Sequence, residues 1–486
     1  MGDYYVIDGN KIIDSKGDVR DVKIQDIMSM AIVASSPETI YCVNEEPMVK
    51  WVEFFVSHGI QPSDDKKNAF SVLCGTNRIM YHVTYKNSDG VSTRMYLLSN
   101  VLRTNSARKL RESFGGDTPL ESAINAIRSC RSLGIESMTI GGAAMTDFIG
   151  KNHREFGENF PNIPRSVLDD MRTGYLGGYM ECKPGTYYDA TDYDCNSMYP
   201  TELRDNPMPV GKPVEYTGEY IEDNDMPRHV DVMTFRADLK NDGCAFLGVT
   251  DMLSGDRTSK VTSTRGYITM ALTDVDQELL YENYDVSLYE YVRGWKFAQK
   301  SDIFTDYVDR WYSLKTLSKG AARKVSKNML NSLVGKFGTV PRDTELRPEW
   351  DDESQAVVWQ IRKTSRISSR NFLPIAMYVN AYARRTLIQA CRQNSNIVSI
   401  NTDGFIKLGD DVHGIQIDQT RRGRWKIKDR YKKIVIIDTG MYQGETKDGK
   451  FKLVCAGVTR SAPIPWEDFR VGGHFKDDYG TDIVIQ

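Results

Sequence analysis

The sequence predicts a mixed α/β protein of the α+β kind, built from about three domains. Three observations lead there. The chain has 486 residues, and at roughly 150 residues per domain this is enough for three separate cores. Short β-like runs such as YYVID (4–8), ETIYCV (38–43) and RIMYHVTY (78–85) are interleaved with helical ones such as PLESAINAIRSCRSLG (119–134), so neither an all-helix nor an all-strand architecture fits. The glycine-rich stretch MRTGYLGGYMECKPG (171–185) reads as a connector between regions.

The elements follow in order. Residues 1–170 carry the mixed short strands and helices. TYYDATDYDCNSMYP (186–200) reads as a strand running into a turn and a helix at Pro200. Residues 214–300 read as a mixed α/β insertion. FTDYVDRWYSLKTLSKGAARKVSKNMLNSLVGKFG (304–338) reads as one long helical stretch, with an irregular segment after it that is first acidic and then basic. PIAMYVNAYARRTLIQACRQ (374–393) predicts a helix leading into IVSINTDGFIKL (397–408), a strand–turn–strand. Short strands and loops alternate to the end.

Several classes are excluded. No apolar run approaches 18 residues, so no spanning helix is expected. The start, MGDYYVIDGNKI, lacks the basic-then-apolar order of a secretory signal, and Val6 occupies the position where a myristoylation motif needs Ser or Thr. The eight cysteines never fall closer than 13 residues apart. That spacing gives no zinc module and suits reduced thiols in a cytoplasm-like compartment.

Net charge is only −3, from 63 Lys+Arg against 66 Asp+Glu, so bulk charge points to no partner. The balance conceals a segregation. Trp311 to Gly338 holds six basic residues (Lys315, Lys319, Arg323, Lys324, Lys327, Lys336) and no acid. Between Glu353 and Asp403 there is again no acid, while Arg362, Lys363, Arg366, Arg370, Arg384, Arg385 and Arg392 fall there. RRGRWKIKDRYKK (421–433) forms a third block. One basic run is ordinarily a solvated helix face. Three acid-depleted blocks beside aromatic residues suit a polyanion held through its phosphates, with binding that weakens steeply in salt.

Three constellations carry chemistry. Asp194, in YDCNSMYP, stands at a strand end before a tight turn. Such a carboxylate can hold a divalent cation together with the next carbonyl, that of Cys195, while turn N–H groups face phosphates; the bland alternative is a helix N-cap. Tyr199, five residues on, could lie flat against a sugar. The second constellation is Lys327, Asn331 and Gly335, which share one face of a predicted helix that Arg323 and Lys324 extend. Cations there can hold a triphosphate, and glycine permits close approach of a base pair; the alternative is a plain basic amphipathic helix. The third is Asn401-Thr402-Asp403-Gly404 between two apolar runs. Such turns most often only make hairpins, but this one puts Asp403 at a tip within reach of the strand carrying Asp194. Two such carboxylates can bridge a pair of cations roughly 3.5–4 Å apart.

The order of carboxylate strand, basic helix and carboxylate hairpin resembles motifs A, B and C of family B DNA polymerases, most closely the protein-primed branch of small phages, plasmids and some viruses. YLGGY (175–179) resembles that branch's template-contacting linker between exonuclease and polymerase regions. NSMYP (196–200) resembles its SLYP box, MLNSLVGKFG (329–338) its NSxYG box, and KLVCAGVTR (452–460) its segment leading into the thumb. The resemblance implies a right-hand polymerase. A degenerate RNase H-like exonuclease domain would occupy 1–170, the palm 171–213 and 371–456, a first insertion 214–300, the fingers 301–340, a second insertion 341–370 and a short thumb 457–486.

The resemblance also implies roles. Asp194, the Cys195 carbonyl and Asp403 would hold two Mg2+ ions, with Mn2+ a possible substitute. Lys315, Lys327 and Arg323 would neutralise triphosphate oxygens, and Asn331 would position the incoming dNTP. Tyr199 would exclude a ribose 2′-hydroxyl; Tyr175, Gly177 and Gly178 would grip template. The implied partners are primer-template DNA, dNTPs and a terminal (priming) protein met by the first insertion. The chain would act as a monomer or as a heterodimer with that protein, in the host cytoplasm and away from membranes.

The sequence departs from the family pattern at named places. Motif C usually has two aspartates, and the first is Asn401 here, an uncharged and poorer ligand. Asp192, two residues before Asp194 and on the same strand face, is the candidate to compensate. Val334 replaces the NSxYG tyrosine, and Gly440 stands where a lysine precedes Tyr442 in a K-x-Y element. Proofreading needs D-x-E near the start, where the chain has Asp8-Gly9-Asn10; Ile124 and Arg128 fall in the places of a Tyr-x-x-x-Asp. An apolar group and a cation cannot hold Mg2+, so no 3′–5′ exonuclease activity is expected. The alternative reading is a catalytically impaired, polymerase-derived DNA-binding or accessory protein. A reverse transcriptase fits less well, because NTDG is not its paired-aspartate hairpin.

Overall fold

The computed structural model describes residues 4–63, 66–75, 80–102, 107–137, 139–150, 153–250, 257–258, 261–339, 344–363, 371–455, 458, 460, 462–477 and 480–485. Arg366 and Arg370 of the second basic block, and Ala456, Gly457 and Thr459 of the KLVCAGVTR segment, lie outside the described residues. The chain forms two compact units: Met1–Arg154 with Tyr307–Asn371, and Glu155–Asp306 with Phe372–Gln486.

The first unit opens with β1 (Tyr4–Asp8), β2 (Lys11–Asp14), β3 (Val19–Asp21), α1 (Ile24–Val33), β4 (Glu38–Cys42), α2 (Glu46–Ser57), β5 (Ala69–Cys74), β6 (Met80–Lys86) and β7 (Ser92–Leu97). β1, β2 and β3 form an antiparallel meander; β4 runs parallel to β1, and β7 parallel to β4. β5 and β6 add an antiparallel hairpin beyond β7. Met48, Trp51, Val52 and Phe55 line the buried stripe of α2 at helical spacing, and Phe55 stacks on Phe70 of β5 at 4.8 Å. Then come α3 (Leu98–Leu102), α4 (Ala107–Phe114), α5 (Pro119–Ser132) and α6 (Ile140–Ile149). α5 begins at a capping box: Thr118 Oγ1 accepts from the Glu121 N–H at 3.1 Å, and the Glu121 carboxylate accepts from the Thr118 N–H at 3.2 Å.

Next along the chain are α7 (His153–Asn159), α8 (Arg165–Thr173), β8 (Glu181–Cys182), β9 (Gly185–Cys195), α9 (Met198–Asp205), β10 (Met208–Tyr216), β11 (Arg228–Leu239), β12 (Val249–Thr250), β13 (Arg257–Thr258), β14 (Ile268–Thr273), α10 (Asp274–Asn283) and β15 (Tyr284–Lys300). Together with β10, the 214–300 segment builds a four-stranded antiparallel sheet, ordered β10-β15-β11-β14, with α10 as its helix.

Two segments fold differently from their sequence reading. The helical stretch 304–338 is two helices of the first unit, α11 (Thr305–Leu317) and α12 (Gly320–Phe337). The break follows from Lys319, which is extended, and Gly320, whose φ of +53° favours glycine. The segment expected to be irregular is a hairpin, β16 (Thr344–Asp351) and β17 (Ala356–Lys363). Its acidic-then-basic pattern is cross-strand complementarity: Glu345 lies opposite Arg362, which also pairs with Glu349. Leu346 opposite Cys74 joins the hairpin to β5, making a nine-stranded sheet among the described residues.

The second unit resumes with α13 (Leu373–Arg392), β18 (Ile397–Asn401), β19 (Gly404–Leu408), β20 (Trp425–Asp438), β21 (Met441–Thr446), β22 (Phe451–Cys455), β23 (His474–Lys476) and β24 (Asp482–Val484). Its main sheet is ordered β22-β21-β20-β9-β19-β18-β8, so β9 runs through the middle. α13 is buried on nearly every side over its apolar first half, and Ala383, Leu387 and Ile388 join the core that holds Tyr193 and Phe405. No helix among the described residues is long and apolar enough to cross a membrane. Leu387→Ala is expected to lower unfolding stability by about 3 kcal/mol, measured by denaturant titration; a loss below about 1 kcal/mol would contradict this packing.

Candidate active site

The sheet register brings the two predicted carboxylates together. Asp194, at the end of β9, lies opposite Gly404 of β19, and Asp192 lies opposite Ile406. Thr402 and Asp403 form the two-residue turn between β18 and β19, and the Cys195 N–H donates to the Asp403 carbonyl at 2.8 Å. Gly404 makes the approach possible, because a Cβ there would stand 2.3 Å from the Tyr193 carbonyl oxygen. Tyr193 points to the other face and is fully buried, so Asp192 and Asp194 share the opposite face of the strand.

β20 flanks β9 on its other edge, with Lys426 opposite Asp194 and Asp429 opposite Asp192. Lys426 Nζ is ion-paired with Asp194 Oδ2 and lies 3.1 Å from Asn196 Oδ1. Lys428 Nζ lies 3.6 Å from Asp194 Oδ1 and 3.9 Å from Asp192 Oδ2, and Asp429 is paired with Lys452. Both lysines sit in the third basic block, where sequence reasoning saw only a run of charge. Their contacts with Asp194 put both on one face, and the bulge at Lys428 breaks the alternation that would have signalled it.

Burial raises the Asp403 pKa, the Asp194 charge adds to the rise, and Lys428 and Lys426 oppose it. Burial pushes Asp192 up to about 6, with Lys428 and Lys452 pulling down and Asp194 and Asp429 pushing up. Burial disfavours the Lys428 ammonium, yet Asp192, Tyr442, Asp194 and Asp403 together raise its pKa.

The donor chemistry fits a hard divalent cation. The Asp194 charge acts on the Asp403 carboxyl, the Cys195 N–H meets the Asp403 carbonyl, and the buried Asp192 Oδ2 has no hydrogen-bond partner. Among the described residues no three His, Cys, Asp or Glu side chains form a metal-holding group. A Mg2+ site built from one or two carboxylates, completed by water and phosphate oxygens, is the type this set can make. Asn401, at the end of β18, is exposed.

The YLGGY segment lies against this turn. A Cβ on Gly178 would meet the Tyr199 hydroxyl at 2.6 Å and Thr402 Cγ2 at 2.7 Å, so glycine is required there. Tyr199, in the first turn of α9, shares a hydrogen bond with Thr402, and burial pushes its hydroxyl up to about 12, against the nearby Arg384. Tyr175 is half-buried and Gly177 exposed. Arg384 fixes the segment: its Nη1 donates to the carbonyls of Leu176 at 3.0 Å and Gly177 at 2.6 Å. Asn380 Nδ2 also donates to the Leu176 carbonyl, at 2.9 Å. The same guanidinium forks onto Asp276 of α10 at 2.6 and 2.8 Å, both side chains being 1% exposed. Sequence reasoning placed Arg384 only in a basic block and missed Asp276. An arginine directly after the apolar run PIAMYVNAYA was the available signal, since such a charge is buried only when paired.

The predicted triphosphate-binding residues belong to the first unit. Arg323, Lys327, Asn331 and Gly335 form one exposed line along α12. Arg323 Nη1 donates to the Lys315 carbonyl at 2.9 Å, and Lys315 Nζ stands 5.0 Å from the Tyr312 ring centre. Val334 is buried at 6% exposure, off that line. Gly440 takes a φ of +68° in the β20–β21 turn, a conformation that disfavours lysine. In the N-terminal domain Asp8 Oδ1 accepts from Asn44 Nδ2 at 3.1 Å, Ile124 is a core residue, and Arg128 Nη2 donates to the Ser15 carbonyl at 2.9 Å.

A family model described as DNA polymerase type B, organellar and viral, matches residues 120–406. The DNA polymerase of Bacillus phage phi29 is 27% identical over 370 residues, covering 70% of this chain and 64% of the relative. That of Bacillus phage Nf is 26% identical over 371 residues, with the same coverage. That of Streptococcus phage Cp-1 is 27% identical over 361 residues, covering 63% of its length. The alignments therefore span slightly less than two thirds of these curated relatives. The orthorhombic crystal structure of phi29 DNA polymerase superposes with a TM-score of 0.85 at 20% identity, covering all of this chain and 99% of that one. The phi29 polymerase complex with primer-template DNA and incoming nucleotide superposes equally well, which establishes a shared fold.

Two expectations follow from the site. Arg384→Met, which strands the Asp276 charge, should cost about 3–5 kcal/mol of stability. Arg384→Met with Asp276→Leu should recover most of it in a denaturation cycle; no recovery would contradict the pairing. Asp192 keeps its proton to about pH 6 when folded but loses it near pH 3.8 unfolded, so its contribution to stability falls as pH rises through that window. Asp192→Asn, without added metal, is therefore expected to stabilise by about 2 kcal/mol more at pH 7.5 than at pH 4. Equal effects at both pH values would contradict it.

Proposed function

The chain belongs to the type B DNA polymerases of organelles and viruses, and from that premise we propose that it is a template-directed DNA polymerase adding dNMPs to a primer 3′-hydroxyl. The observation that carries the reading is the register that sets Asp194 beside the Asp403 turn, with Gly178 and Tyr199 packed against the same turn. Asp194 and Asp403, with the Cys195 carbonyl, would hold Mg2+, for which Mn2+ is a substitute. A metal held there would supply the positive charge that lowers the pKa of a primer hydroxyl and offsets the charge of the leaving pyrophosphate.

The chain's own residues supply position. Tyr199, fixed by Thr402 and by close packing on Gly178, would lie under the incoming sugar and exclude a 2′-hydroxyl. Tyr175, Gly177 and Gly178, anchored through Arg384, would hold the template strand. Lys315, Arg323, Lys327 and Asn331 would bind the triphosphate and base of the dNTP. The same reading has no 3′–5′ trimming, supported by Ile124 in the core and Arg128 on a backbone carbonyl. It extends to a priming protein as partner, met by residues 214–300, and to the host cytoplasm as the place of action.

Primer extension with Mg2+ or Mn2+ tests the reading. Wild type is expected to extend a matched primer and leave a mismatched 3′ end untrimmed. Asp194→Ala and Asp403→Ala are each expected to lose about a thousandfold in rate. Tight, salt-sensitive DNA binding with no incorporation would instead mark a non-catalytic DNA-binding protein.

A further inference from the structure

Two ammonium groups stand inside the carboxylate cluster, and the nucleotidyl transfer just proposed assigns them no part. Lys426, opposite Asp194, and Lys428 both reach the sheet face of Asp192 and Asp194 from β20. A β-bulge between Ile427 and Asp429 falls at Lys428, and such bulges re-aim a side chain. Lys426 is ion-paired with Asp194 Oδ2, and Lys428 reaches Asp194 Oδ1 at 3.6 Å and Asp192 Oδ2 at 3.9 Å. Each Asp194 oxygen thus faces a lysine. Three carboxylates (Asp192, Asp194, Asp403) against two ammoniums leave one net negative charge, and Asn401 adds none. Clamping two divalent ions needs more anionic oxygen than that.

We infer that Lys426 and Lys428 are positioning residues that serve as resident cations. The cluster takes a single divalent ion, and the lysines supply at Asp194 the positive charge that a second ion would bring. This rests on the polymerase reading above, and it replaces the two ions that the family resemblance implies. A fixed ammonium close to a carboxylate repels an arriving dication across a few ångströms, where charges interact strongly even with partial solvent exposure. It also stabilises developing negative charge without leaving the site.

Mn2+ alone is the probe, titrated into the metal-free full chain and followed by electron paramagnetic resonance. Wild type is expected to bind one Mn2+ at this site, abolished by Asp403→Asn. Lys426→Met and Lys428→Met are each expected to tighten binding at least about tenfold, and the double variant to admit a second Mn2+. Lys426→Arg, which keeps the charge, should behave as wild type. Should Lys426→Met fail to fold, Lys428→Met carries the same expectation, its side chain being 39% exposed. Two ions or none at this site in wild type, or unchanged or weaker affinity in the methionine variants, would overturn the inference. Primer extension is read separately: an inactive wild type that shows one ion and the lysine effect refutes the polymerase reading and supports the metal inference.

Discussion

Asp194 sits between two neighbours in register, Gly404 on one edge of β9 and Lys426 on the other, and the chemistry of the chain follows from that placement. A strand at the centre of a sheet has both backbone edges committed to partners, so its side chains are held to a fixed spacing. The alternation that turns Tyr193 into one core also puts Asp192 and Asp194 together on the opposite face. The glycine after Asp403 lets the second carboxylate reach the first, because any larger residue would collide with the Tyr193 carbonyl. A one-residue slip of β19 would turn Asp194's neighbours to the opposite face.

A second constraint ties the YLGGY segment to the same turn. Gly178 packs on Tyr199 and Thr402, while Arg384 holds the carbonyls just before it and is itself neutralised by Asp276. A buried arginine with its donors satisfied by carbonyls and a carboxylate fixes geometry more than it adds net stability. Through it, α13, α10 and the connector form one rigid support, and the Tyr175–Tyr179 segment cannot shift without moving Tyr199 and Thr402.

Much of this was legible in the sequence, for identifiable reasons. The strand carrying Asp194 and the hairpin carrying Asp403 were readable because turn chemistry and apolar flanks are local signals. The exposed line of Arg323, Lys327 and Asn331 followed from helical spacing. The break before Gly320 was hidden by helix-forming neighbours, and the β16–β17 hairpin by charges that make sense only once paired across strands. Lys426, Lys428 and Asp276 were invisible as site residues because each acts through a partner far away in the chain, and register between distant strands is not written in either one. Gly440 reads from the sequence as a missing lysine; its positive φ shows a turn that asks for glycine.

The position of a bound cation tests the central geometry most directly, by anomalous diffraction from crystals of the full chain grown with Mn2+. Expected is a peak within about 2.0–2.4 Å of oxygens from both Asp194 and Asp403. A peak away from these residues, or carboxyl groups more than about 10 Å apart, too far to share an ion, would contradict it.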